Sequence, residues 1–282
     1  MRFHKDSAEL FVPDGMAPES SLSRTTHLCV GAHQDDIEIM AYHGIAECFG
    51  REDRWMTGVV VTNGAGSSRT GIYGHFTDED MQRIRRREQR KAAVVGEYAA
   101  QIQLDYTSAE VKDPRLSAVV DDLYAIFQAA SAEVVYLHNP ADKHDTHVAV
   151  LLRSLAALRR LSTDRRPRTV YGCEVWRSLD WVNDEEKVVL PASRYPNIAA
   201  ALVGIFDSQI SGGKRYDLAT AGRRLANATY FASHASDVVD AATYALDLTP
   251  LVQDPSLSIE EFTLGYVDRF RRDVQSRLVR FR

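Results

Sequence analysis

The sequence predicts an α/β, Rossmann-like layered fold with a mostly parallel central sheet flanked by helices, and three observations carry that reading. Short apolar runs alternate with segments of helical periodicity. The 282 residues, 45% hydrophobic and 26% charged, can bury a large core. The polar segments GAHQDD, TNGAGS and HNPADKHDTH each follow directly on a strand-like run. That is where ligands sit in open α/β sheets.

Taken in order, a polar arm containing Pro13 and Pro18 precedes THLCVGA, a first buried strand. Residues 38–49 read as a helix weakened in its middle by Gly44. TGVVVT at 57–62 is a second strand that empties into the loop NGAGSSRTGIYGH. Thr77 with Asp80 is a capping-box variant that starts a long charged helix reaching about Tyr98. IQLDY gives a short strand, and Asp113–Pro114 a helix start continued by SAVVDDLYAIFQAA. EVVYLH at 133–138 is the next strand, followed by a helix from Thr146 to Leu161 that presents Val150, Leu151, Leu155 and Leu158. RTVYGCEVW is strand-like, NIAAALVGIFDSQI and RYDLATAGRRLANATYFASH are helix-like, and EEFTLGYVDRF fits either. One domain spanning 1–282, with a C-terminal helical extension, is the expectation.

A net charge of −5 and mixed basic clusters give no case for nucleic-acid binding. No apolar run reaches membrane-spanning length and the first ten residues lack a secretory pattern, so a cytoplasmic location is expected. Cys29, Cys48 and Cys173 are few and widely spaced, which suits core thiols. A thiol site built from Cys48, His43 and Asp53 lacks a nucleophile motif, and the glycines after the second strand match no nucleotide fingerprint.

The chemistry concentrates in two clusters. Asp35 and Asp36, adjacent at the end of a buried strand, repel one another and need a cation, hydrogen bonds or solvent. Taken alone, they can simply cap the helix that follows. His33 and Asp36 stand three apart, as do His144 and His147, and two imidazoles with one carboxylate make an open zinc site. His33, Asp36 and His147 are the preferred ligands, with manganese, iron or cobalt also compatible. Asp35 then takes a proton from the activated water, and His144 stabilises the oxyanion and protonates the departing nitrogen. Glu38 orients a ligand or a backbone amide. Arg85, Arg86, Arg87 and Glu88 read as a solvated helical face from which one arginine can turn toward substrate. Asn63, Asp142, Asp145 and Trp176 complete the residues considered for support or substrate binding, with ordinary packing the favoured reading of Trp176.

AHQDDIE resembles the AHPDD(I)E signature of the PIG-L/LmbE-like zinc-dependent deacetylases, and PADKHDTHVA resembles their second signature, PxDxHPDHxxA. VVVTNGAG, RRREQRKAAVVG, YGCEVW and the SQ of IFDSQI extend the likeness over residues 27–210. The resemblance implies zinc on His33, Asp36 and His147, Asp35 as general base, His144 as its partner, and N-deacetylation of a small amino-sugar conjugate. The chain departs from the family pattern at Gln34, where proline is usual, and at Asp145–Thr146, which stand where proline and aspartate are usual. The lost aspartate would orient His144, a task left to Asp142 or Asp145. A metal-dependent amidase or esterase and a carbohydrate-binding protein without activity are the competing readings. Apolar helices can pack within or between subunits, so a homo-oligomer is compatible.

Overall fold

The computed structural model describes residues 1–282. The chain runs through β1 (Glu9–Phe11), α1 (Pro18–Ser23), β2 (His27–Gly31), α2 (Asp36–Met40), α3 (Tyr42–Cys48), β3 (Met56–Thr62) and α4 (Asp78–Val95). It continues with β4 (Ala100–Tyr106), α5 (Ser108–Lys112), α6 (Ala118–Ala130), β5 (Val134–His138), α7 (Asp145–Arg159), β6 (Thr169–Cys173) and β7 (Val188–Pro191). The remainder is α8 (Pro196–Gly204), α9 (Asp207–Ile210), α10 (Tyr216–Tyr230), β8 (Ala242–Asp247), α11 (Thr249–Gln253) and α12 (Ile259–Arg280).

The eight strands form one sheet in the order β1-β4-β3-β2-β5-β6-β8-β7. Its centre, β4-β3-β2-β5-β6, is parallel, while β1 pairs antiparallel with β4, and β8 pairs antiparallel with both β6 and β7. The sheet is therefore mixed, which corrects the mostly parallel expectation. The physical reason lies at the edges. Residues 9–11 of the polar arm add a strand, and two short strands absent from the sequence reading close the other side.

The parallel strands are buried along most of their length, as their apolar composition requires. One core layer joins β2, β3, β4 and β5 to α6 and α7 through Leu28, Val59, Ile102, Val135, Leu151 and Leu155. The other packs α2 and α3 beneath Tyr136, Val60 and Met56. The helix expected over 38–49 is broken at Ala41 into α2 and α3. Thr77 and Asp80 cap α4 reciprocally, although aspartate replaces the commoner glutamate. Asp113–Pro114 does not start a helix. Thr107 and Glu110 instead form a capping box for α5, and α6 begins only at Ala118. The ambiguous EEFTLGYVDRF lies in α12, a 22-residue helix with no buried residue. No helix is long and apolar enough to cross a membrane.

Candidate metal centre and cavity

The carboxyl ends of β2, β3 and β5 open on a cavity of about 720 Å³. Gly31 lets β2 turn directly into α2, because a Cβ there would meet the Asp36 Cβ at 3.0 Å. Asp35 completes the turn with φ 95°, a left-handed conformation that costs an aspartate on the order of 1 kcal/mol or more. Gln34 holds the corner in place of a proline ring, donating from Nε2 to the Thr62 carbonyl at 3.1 Å. The Asp35 N–H donates to Gln89 Oε1 at 3.3 Å, so α4 supports the same corner.

Three residues bring donor atoms together beyond this turn. His33 Nδ1 lies 3.1 Å from His147 Nε2 and 3.4 Å from Asp36 Oδ2, and His147 Nε2 lies 3.5 Å from Asp36 Oδ1. Donors bound about 2.0–2.2 Å from a tetrahedral zinc stand roughly 3.4 Å apart, so these residues fit such an ion. The His33 N–H donates to Asp36 Oδ2 at 2.7 Å and orients that carboxylate. His147 Nδ1 faces Asp142 Oδ2 at 3.1 Å, which favours the tautomer that leaves Nε2 free to ligate. Asp142 also accepts from the N–H groups of Lys143, Trp176 and Arg177, binding the second cluster to the end of β6. It thus supports His147 rather than His144. Asp145 is exposed at the first turn of α7 and supports neither histidine.

Asp35 and Asp36 share the turn but differ electrostatically. Burial pushes the Asp35 carboxyl up to about 7, against the opposing pull of Arg85. Burial also raises Asp36, but His147 and His138 outweigh it and hold that carboxyl well below its ordinary range. Arg85 brings both terminal nitrogens to 3.3 Å from Asp35 Oδ2 and donates to the Gln34 carbonyl. At 2% exposure it is no solvated residue, and Glu88 is likewise buried, accepting from the Ser208 N–H and hydroxyl. Only part of the expected solvated face of α4 exists. Its inner side is buried, with Arg85 on the cavity wall.

His144 lines the cavity with its ring centroid 4.9 Å from that of His33 and 4.5 Å from that of His147. Its Nδ1 is buried without a partner, and burial, with His147 and His33 adding, lowers the ring to about 4. Glu38 touches no ligand. It accepts from Tyr98 and Gln89, and reaches the turn only through Gln89. Asn63 borders the cavity while its Oδ1 accepts from the Ala65 N–H, and Trp176 forms part of the wall.

His138 escaped the sequence reading. As the last residue of β5 it looked like the end of a core strand, yet it stacks on His147 with centroids 3.9 Å apart and sits 3.4 Å from Asp36 Oδ2. Its Nε2 accepts the Ala32 N–H at 2.9 Å, so that lone pair is spent on the backbone. His138 therefore serves as packing against the ligand set. The thiol alternative is not assembled: Cys48 is buried, His43 meets the Tyr136 hydroxyl, and Asp53 pairs with Arg51.

Fold and site together define an α/β protein with a histidine–aspartate cluster that could hold a metal ion, at the carboxyl edge of a parallel sheet core. Residues 28–158 match the family model PIG-L, described as GlcNAc-PI de-N-acetylase. A search of curated proteins gives no match. Similar solved structures include N,N'-diacetylchitobiose deacetylase from Pyrococcus horikoshii, 14% identical, covering 84% of this chain and 88% of that one at TM-score 0.63. The conserved protein TT1542 from Thermus thermophilus is 18% identical, covering 83% and 99% at TM-score 0.60. GalB, the 4-carboxy-2-hydroxymuconate hydratase from Pseudomonas putida, is 17% identical, covering 79% and 95% at TM-score 0.59. At these identities the likeness is one of fold. Deacetylases and a hydratase share it.

Proposed function

We propose that this chain is a metal-dependent hydrolase that removes an N-acetyl group from an N-acetylglucosamine-type or related amino-sugar conjugate. The observation that carries the reading is the convergence of His33 Nδ1, His147 Nε2 and the Asp36 carboxylate beside Asp35. The PIG-L match across both clusters supports it. Zinc suits this donor set best. When bound, a divalent ion would polarise the amide carbonyl and make water more acidic.

The chain's own residues supply the remaining chemistry. Asp35, held by Arg85, accepts the proton of the water that attacks the acetyl carbon. His144 donates to the carbonyl oxygen as it gains charge, and a proton passes to the amide nitrogen as the C–N bond breaks. Acetate and a free amine are the products. His138 and Asp142 position His147 and stay out of the reaction.

The metal-replete chain should release acetate from N-acetylglucosamine conjugates, leaving a product lighter by one acetyl group. Asp35→Asn should cut turnover by about 10²–10⁴-fold with bound metal unchanged, and unaltered turnover would overturn the assignment. A second reading, a hydratase acting on an unsaturated carboxylate, is favoured by the cationic side chains of the cavity and by the fold shared with GalB. Water addition to such a substrate without acetate release from any conjugate would select it.

A further inference from the structure

The cavity runs against the overall charge of the chain. Its wall carries five cationic side chains against three carboxylates, in a protein of net charge −5. The carboxylates are already engaged: Asp36 with the histidines, Asp35 with Arg85, and Glu174 with the N–H groups of Leu179 and Tyr244 and the amide of Asn227. Apart from Arg85, the cations Lys112, Lys214, Arg223 and Arg224 form no ion pair.

Arg224 is the most telling of these. It is only 6% exposed, its Nη2 donates to the carbonyls of Glu38 and Ile39, and its Nε has no partner. A buried guanidinium without a counter-ion is costly, and burial lowers its pKa to about 10. Beside it on α10, Arg223 donates to the Val175 carbonyl, while Lys214 sits 5.2 Å above the Trp176 ring. Thr243 adds a buried hydroxyl without a partner on the same wall. The Trp176 ring in turn lies 6.2 Å from that of His144, so a small molecule can span from this wall to the metal centre.

We propose that Lys214, Arg223 and Arg224, with Trp176 and Thr243, form an anion-binding subsite that takes a carboxylate or phosphate carried on the substrate away from its reacting group. For the sugar this rests on the function proposed above; for the charge it rests on the wall alone. The subsite selects substrate through charge-assisted hydrogen bonds, with Trp176 as an apolar face beside them.

The test uses the full metal-loaded chain with methyl, carboxymethyl and 2-phosphoethyl N-acetylglucosaminides. At least one charged glycoside should exceed the methyl glycoside in kcat/KM by about tenfold or more, a preference that falls with added salt. The rank of carboxymethyl against 2-phosphoethyl identifies which anion fits. In the variant Lys214→Gln/Arg223→Gln the ratio of charged to neutral kcat/KM should shrink to about twofold or less, with Arg224 kept because it also anchors α2. Each single variant, read in the same way, serves if the pair unfolds. Equal kcat/KM for all three glycosides would overturn the subsite. If no glycoside releases acetate, the proposed reaction fails, and calorimetric binding to the same chain decides the subsite separately: tighter binding of a charged glycoside upholds it, and equal binding removes it.

Discussion

The parallel centre of the sheet and the C-terminal third of the chain face one cavity but contribute different things to it. The centre supplies His33, Asp35, Asp36 and His147 from the turn after β2 and the first turns of α7, each fixed by backbone or side-chain hydrogen bonds. The C-terminal third supplies Lys214, just ahead of α10, and Arg223 and Arg224 on it, whose partners are carbonyl groups and aromatic faces. Reacting groups demand fixed geometry. Recognition groups demand unspent charge, and the proposed reacting and recognition groups come from separate stretches of chain.

Packing separates the two regions most strongly. Leu155, fully buried in α7, should cost about 2–5 kcal/mol when cut to alanine, measured by denaturant unfolding. Leu278, 57% exposed on α12, should change stability by about 0.5 kcal/mol or less as Leu278→Ser. Similar losses at both positions would break the contrast. Between these extremes, Asp142→Asn should weaken metal retention by about 10–100-fold, since the carboxylate fixes the His147 tautomer from outside the ligand set. Metal content after dialysis against graded chelator reads it, and unchanged retention would count against that support.

The amino ends of the same parallel strands give an effect that depends on pH. His27, at the start of β2, is lowered to about 4 by burial, with His43 and Arg54 adding. The unfolded chain binds that proton from about pH 6.5 downward while the folded chain does not, so stability falls as pH drops from 6.5 toward 4. The loss reaches up to about 3 kcal/mol, and His27→Gln should flatten the pH dependence of unfolding over that window. A slope unchanged in the variant would show that His27 does not carry it.

Much of the centre was legible because its signals are local. Apolar runs marked β2, β3 and β5, and each histidine–aspartate cluster lies within a few residues of chain. The strands β7 and β8 were not, since VVLP is four residues long and ATYALD draws much of its burial from small side chains. Their pairing across distant chain segments leaves no periodic trace. His138 was hidden by ending an apolar strand. Arg224 was hidden because a charged residue on an amphipathic helix reads as surface until α2 is seen against it. Asp142 was named in the sequence, but its partner proved to be His147.

Arg224 also sets an order of completion. It closes over the carbonyls of Glu38 and Ile39, next to the turn that carries Asp35 and Asp36, yet it follows His147 by many residues in the chain. During synthesis from the N-terminus, the proposed ligands and proton acceptor all leave the ribosome before the guanidinium that covers α2. A fragment ending ahead of α10 would keep the histidine–aspartate cluster, Trp176 and Lys214, and would lack Arg223 and Arg224.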